Sequence, residues 1–193
     1  GIPRGESRKL AAKGRVTVND VLTKKADTQI EEATAEVAVD GRLLTGAYQK
    51  YVYLMLNKPE GVVSAAQDKR DTTVVDLVKD AFPRRQLFPA GRLDKTSTGF
   101  VLLTDDGAFA NLLTHPSGGV GKLYRVTVRP RATEEQVVKM SSGVVLDDGV
   151  KTQPAVIHVV VDEPGRTVLE ITLHEGRNRQ IRRMCSAVGL QGV

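Results

Sequence analysis

The chain contains one cysteine, no tryptophan, and only four phenylalanines and four tyrosines in 193 residues. A single cysteine, Cys185, excludes an internal disulfide and a cysteine-based zinc cluster, and it fits a reducing cytoplasm. Its apolar neighbours on a predicted helix mark it as a small buried residue rather than a nucleophile. An aromatic content of 4% excludes a broad stacking platform for single-stranded bases. Any nucleic-acid partner must then be held through phosphate contacts and shape. His115, His158 and His174 are far apart without metal-ligand spacing, so no metal is expected. No apolar run approaches the roughly 18 residues needed to span a bilayer, and the N-terminal residues lack the hydrophobic core of a secretory signal. The expectation is a soluble, cytoplasmic protein without membrane contact, monomeric by default.

What is present is basic charge at both ends. The formal net charge is +5 and the pI is about 9.4, a balance that suits a polyanionic partner. Residues 1–25 carry Arg4, Arg8, Lys9, Lys13, Arg15, Lys24 and Lys25 against Glu6 and Asp20, and residues 175–193 carry four arginines against Glu175. With 40% hydrophobic residues the chain can bury one well-packed domain and a small appendage.

The hydrophobic pattern divides accordingly. A helix is predicted from Glu6 to Lys13, stopped by Gly14, followed by a strand over Arg15–Val18 and a turn at Asn19-Asp20. Ala35–Val39 reads as a second strand, with Asp40-Gly41 as a hairpin signal. The stretch Thr45–Lys50 reads as a linker, which gives domains at 1–46 and 47–193. In the larger domain, strands are predicted at Tyr51–Leu56, Phe100–Thr104, Leu123–Val128, Ala155–Val161 and Thr167–His174. A helix capped by Asp71 or Thr72 buries Val74, Val75, Leu77, Val78, Ala81 and Phe82. A second follows Asp105-Asp106-Gly107 with Phe109, Leu112 and Leu113 on the core, and a third begins with a capping box at Thr133 and Gln136. The last runs from Asn178 to Val188, with Gly189 just past its end. Interleaved strands and helices of mixed connection length give an α+β domain with a mixed, mainly antiparallel sheet, flanking helices and a central cleft.

The segment Gly91-Arg92-Leu93-Asp94-Lys95-Thr96-Ser97-Thr98-Gly99 places a carboxylate in a glycine-bounded loop just before an apolar strand. Two glycines let such a loop curl and aim its acid toward a cleft. Arg92 and Lys95 flank Asp94 and supply the positive charge that suits a carboxylate nucleophile or base. Near the C-terminus, Arg179, Arg182 and Arg183 fall at i, i+3 and i+4, so they share one side of the predicted helix, while Ile181, Met184, Cys185 and Val188 face the core.

Four segments together resemble the bacterial rRNA pseudouridine synthases that modify small-subunit and large-subunit hairpins. They are Met55-Leu-Asn-Lys-Pro-Glu-Gly61, the Asp94 loop, Lys122-Leu-Tyr-Arg-Val126, and Leu173-His-Glu-Gly-Arg-Asn-Arg-Gln-Ile-Arg-Arg-Met184. Residues 7–22 resemble part of a small S4-type RNA-binding domain, whose first helix is absent. The resemblance implies the pseudouridine synthase fold and isomerisation of a uridine in ribosomal RNA without a cofactor. It makes Asp94 the essential carboxylate, Tyr124 a ring against the target base, and Arg182 the partner of Asp94. Leu173 packs on the other face of uracil, and Lys58 with Pro59 shapes the pocket. Arg92 reaches phosphate or fills the gap left by the extruded nucleotide, and Arg179 and Arg183 contact the substrate RNA. Arg8, Lys9, Lys13 and Arg15 form the S4-like RNA-binding surface.

The chain departs from the family pattern by stopping at Gly189-Leu-Gln-Gly-Val193, where relatives add another strand, so it is expected to be a fragment. Residues near 68–76 and 146–154 lean toward a small-subunit target, whereas the run from Glu175 to Gln180 leans toward the large subunit; the balance favours small-subunit rRNA. Two other readings compete. One is a non-catalytic rRNA-binding assembly factor. The other is a glycosidase-like hydrolase pairing Asp94 with Glu60 or Glu175, against which the basic charge and the want of tryptophan weigh.

Overall fold

The computed structural model describes residues 3–31, 34–44 and 50–193. Contacts divide the chain into two compact units, Gly1–Val52 with Ala81–Gln86, and Tyr53–Asp80 with Leu87–Val193. The linker expected at Thr45–Lys50 falls, but for Lys50, outside the described residues.

In the smaller unit, helix α1 (Arg4–Ala12) buries Ala11 and ends at Lys13. Gly14 follows at a φ of +71°, where a side chain would be strained. Four short strands follow: β1 (Val16–Val18), β2 (Val21–Leu22), β3 (Val37–Val39) and β4 (Arg42–Leu43), in the spatial order β2-β1-β3-β4. Positive φ at Asn19 and Asp20 turns β1 into β2, and the same at Asp40 and Gly41 turns β3 into β4, because such backbone matches the twist of a two-residue hairpin. The sequence had marked the second hairpin but not its return strand. Arg42-Leu43 is too short a run to register as periodicity.

The larger unit holds two antiparallel sheets. One has the order β5-β7-β6, built from β5 (Tyr53–Lys58), β6 (Phe88–Ala90) and β7 (Gly99–Thr104), with β7 central. The other has the order β11-β8-β10-β9, built from β8 (Lys122–Arg129), β9 (Val156–Glu163), β10 (Arg166–Leu173) and β11 (Gln191–Gly192). Alternation along β10 buries Leu169, Ile171 and Leu173 on one face, and these meet Val128, Met140, Met184 and Leu190 in one core. A smaller core of Val62, Val74, Val101 and Leu103 lies under the first sheet, with Leu93 packed on it.

Three helices complete the unit: α2 (Gly107–Thr114), α3 (Glu134–Ser142) and α4 (Gln180–Ala187). The capping box of α3 is formed, with the Thr133 hydroxyl accepting from the Gln136 backbone amide at 3.2 Å and the Gln136 side-chain Oε1 accepting from the Thr133 backbone amide at 2.9 Å. Gln136 also donates from Nε2 to the Val188 carbonyl at 2.8 Å, tying α3 to the end of α4.

Two sequence expectations are corrected. No helix forms between Asp71 and Phe82; the backbone makes successive turns. Val63 donates to the Thr72 carbonyl and accepts from the Val74 amide, both at 3.0 Å, so the groups that would begin a helix are taken by a parallel bridge. The run of β-branched residues from Thr72 to Val75 suits that extended path. In α2 the buried residue is Ala110, while Leu112 is 58% exposed and Phe109 turns its ring edge-on to Tyr53 at 5.2 Å. The core contributions differ accordingly: Leu169→Ala is expected to cost about 2–5 kcal/mol and Leu112→Ala less than about 0.5 kcal/mol in chemical denaturation.

Candidate active site

The site begins with how the chain presents Asp94. Gly91 and Gly99 bound the loop at φ values of +91° and +130°, and the residues on either side of the aspartate are fastened. Leu93 packs on the small core, while its amide donates to the Ser64 hydroxyl at 3.1 Å and its carbonyl accepts from that hydroxyl at 3.0 Å. The Lys95 carbonyl accepts from the Gly61 amide at 2.8 Å and from Lys58 Nζ at 3.3 Å. Lys58 is wholly buried at the end of β5, and its ammonium also donates to the Pro59 carbonyl at 2.8 Å. Burial lowers the Lys58 pKa, and the charges of Glu60 and Asp94 oppose that shift. Within the loop the Ser97 amide closes a turn on the Asp94 carbonyl at 2.9 Å. The Asp94 side chain thus projects from a pinned backbone, 27% exposed.

Helix α4 brings the counter-charge. Arg182 donates from Nε to Asp94 Oδ2 at 3.3 Å, from one terminal nitrogen to the Gly192 carbonyl at 3.2 Å, and from the other to the Thr96 hydroxyl at 3.2 Å. Three acceptors in different directions fix the guanidinium plane. Arg179, which precedes α4 with left-handed backbone at a φ of 49°, places its guanidinium 3.4 Å from the same Oδ2. The loop before it is closed by its own ends. Glu175 Oε1 accepts from Gln180 Nε2 at 2.7 Å and from the Gln153 amide at 2.8 Å, and Gln180 Oε1 accepts from the Arg177 amide at 3.0 Å.

Two of the expected cations lie elsewhere. Arg183 pairs with Asp147 at 2.6 Å and Asp148 at 2.7 Å, because successive helical residues point about 100° apart and Arg183 diverges from Arg182. Lys95 turns its ammonium to Asp71 at 2.8 Å, so the charge expected beside Asp94 from its sequence neighbour comes instead from α4. Arg92 is exposed. Arg8, Lys9 and Lys13 are exposed along or just after α1, and Arg15 is paired with Asp40, its Nε donating to Oδ1 at 2.8 Å. Among the described residues, no group of three or more histidine, cysteine or acidic side chains is placed to hold a metal, and no helix is long and apolar enough to cross a membrane.

Tyr124 stands on β8 opposite Ile171, which sets it diagonal to Leu173 on one face of the sheet. Leu173 is buried and Tyr124 half-buried against the same core. Burial raises the Tyr124 pKa first, and the negative charge of Asp94 raises it further. Cys185 is fully buried in that core, with its thiol pushed up to about 11, chiefly by burial. The supporting residues Ser64, Thr96, Glu175 and Gln180 were not picked out by sequence reasoning, which had weighed Glu175 only as one of a hydrolase pair; the i, i+5 spacing of the last two is the one signal that was there to find.

The chain that carries this aspartate, arginine and tyrosine is similar along most of its length to known proteins. The family model described as RNA pseudouridylate synthase covers residues 52–187. A Bacillus subtilis protein described as the uncharacterized RNA pseudouridine synthase YtzG is 38% identical over 98% of this chain and 79% of its own. The ribosomal large subunit pseudouridine synthase B of the same organism is 37% identical over 96% of this chain and 75% of its own. A crystal structure of a pseudouridylate synthase superposes with a TM-score of 0.68 at 30% identity, covering 100% of this chain and 80% of that one. The chain belongs to the RNA pseudouridine synthase family. It has that family's α+β fold and is an isomerase.

The Tyr124 shift has a signed consequence. The folded state keeps the phenol proton above the ordinary value of 10.0, where the unfolded chain releases it, so folding stability falls as pH rises from there through the folded value. Ultraviolet difference titration against Tyr124→Phe is expected to place Tyr124 above 10.0. Asp94→Asn is expected to bring it only part of the way back, because burial is the larger cause.

Proposed function

We propose that this protein converts one uridine of ribosomal RNA to pseudouridine, with Asp94 as the catalytic carboxylate. The observation that carries the reading is the pinned Asp94 side chain paired through Oδ2 with Arg182, inside the segment matched by the family. The reaction is redox-neutral: the C1′–N1 bond breaks, the uracil turns while bound, C5 joins C1′, the C5 proton leaves and N1 gains one. C1′ and C5 are inaccessible in a stacked helix, so the target nucleotide must be extruded first.

Each residue has a role that its surroundings suit. Asp94 acts at the sugar or the base, with Arg182 fixing which way the carboxylate faces. Tyr124 lies against the uracil and takes a proton in a late step of the reaction. Leu173 packs on the other face of the base. Arg92 meets phosphate or fills the vacated stack. Lys58 is buried and fastens the loop, a pocket-shaping role rather than a reacting one. Arg183, clamped by Asp147 and Asp148, contributes to RNA contact least directly. The N-terminal segment, 1–46, is an S4-like RNA-binding domain ahead of a catalytic domain at 47–193, with Arg8, Lys9 and Lys13 toward phosphate. The enzyme works as a cytoplasmic monomer. Small-subunit rRNA is the preferred target from the sequence; the relative named for the large subunit weighs the other way, so both rRNAs enter the test.

Tritium release from C5-labelled uridine in unmodified small- and large-subunit rRNA transcripts decides the matter. Release by the parent is expected, with Asp94→Asn slower by at least about a thousandfold and Arg182→Lys by about a hundredfold. A folded parent that binds RNA and releases no tritium from either transcript would sink the isomerase reading and favour an assembly factor.

A further inference from the structure

We propose that Arg179 is an exchangeable partner of the catalytic carboxylate: it pairs with Asp94 in the free protein and passes to a phosphodiester of the RNA when the target nucleotide enters. The inference rests on Asp94 being the working carboxylate. Two guanidinium groups face one carboxylate, and both approach the same oxygen. Their holdings are unequal. Arg182 is 32% exposed and gives hydrogen bonds to three separate acceptors, one of them Asp94. Arg179 is 51% exposed and meets Asp94 at 3.4 Å as an ion pair. Half-exposed pairs of that kind are weak and readily exchanged.

The backbone at Arg179 is nevertheless fixed. The Glu175 and Gln180 side chains close the preceding loop, and Gln180 is only 4% exposed. Exchange therefore needs the side chain alone to swing. An extruded nucleotide stays joined to its neighbours by a phosphodiester on each side, so the incoming substrate carries its own anion to the site. A phosphodiester offers two non-bridging oxygens to the guanidinium fork, a better match than one oxygen already shared with Arg182. Arg183 is no alternative donor, because Asp147 and Asp148 hold it. The carboxylate is thus covered by two cations at rest and left with one when RNA is seated.

The test is equilibrium binding of unmodified small- and large-subunit rRNA transcripts across a salt series. It compares the parent, Asp94→Asn, Arg179→Ala and the double variant, with the matching Arg182→Ala set as control and circular dichroism to confirm folding. If the alanine variant does not fold, Arg179→Gln removes the charge more gently. Asp94→Asn is expected to tighten binding roughly two- to fivefold, because RNA no longer competes with Asp94 for Arg179. That gain should vanish when Arg179 is absent and persist when Arg182 is absent. Removing Arg179 should also lower the salt dependence by about one phosphate contact. Equal tightening with and without Arg179, an unchanged salt slope, or no RNA binding by the folded parent would overturn the proposal. A parent that releases no tritium removes the isomerase reading, while the binding cycle still decides whether Arg179 exchanges.

Discussion

The candidate site turns on one oxygen atom, Oδ2 of Asp94, and on the constraint that it sit within reach of Arg182. The aspartate comes from the loop between β6 and β7, the arginine from α4, which lie 88 residues apart in sequence. Neither residue fixes the distance by itself. It is set by Leu93 packed on one core, by Met184 and Cys185 packed on the other, and by hydrogen bonds that fasten residues 93 and 95 on either side of the acid. A carboxylate held in this way spends little further freedom on reaching a reactive geometry, which is the usual source of advantage from a positioned group.

The buried Lys58 shows what that rigidity costs locally. Taking an ammonium out of water is unfavourable, and the lowered pKa of Lys58 records it. Two backbone carbonyls on Pro59 and Lys95 offset the loss by accepting its protons. The result is a cation used as a rivet under the Asp94 loop, where a leucine would fill space but leave those carbonyls with one donor fewer.

Much of this was legible in the sequence, for reasons that also explain the failures. The strand Phe100–Thr104, the long strands ending near Val161 and His174, the capping box at Thr133 and the final helix all appeared within a few residues of their observed bounds, because each has strong periodicity or a side-chain cap. The helix expected after Asp71 did not form: its apolar spacing was helical, but its first amides and carbonyls bond Val63, a partner that periodicity cannot reveal. At the site, Asp94 stood out through its glycines. Its cationic neighbours in sequence were less informative, since Lys95 faces Asp71 and the charge beside Asp94 arrives from α4. Helical spacing placed Arg179, Arg182 and Arg183 on one side but could not resolve the 100° between the last two, and that angle separates a residue on the carboxylate from one on an acidic turn.

The bond from Arg182 to the Gly192 carbonyl gives the short strand β11 a part in alignment. Gly192 is paired with Val128 on β8, and Tyr124 lies four residues before Val128 on that same strand. The arginine and the tyrosine are therefore measured from a common rail. A small rigid displacement of β8 would carry both groups together and leave their mutual spacing intact, so this portion of the site inherits the stiffness of the sheet. The Asp94 loop is fastened instead to Lys58 at the end of β5, so its place is measured from the other sheet.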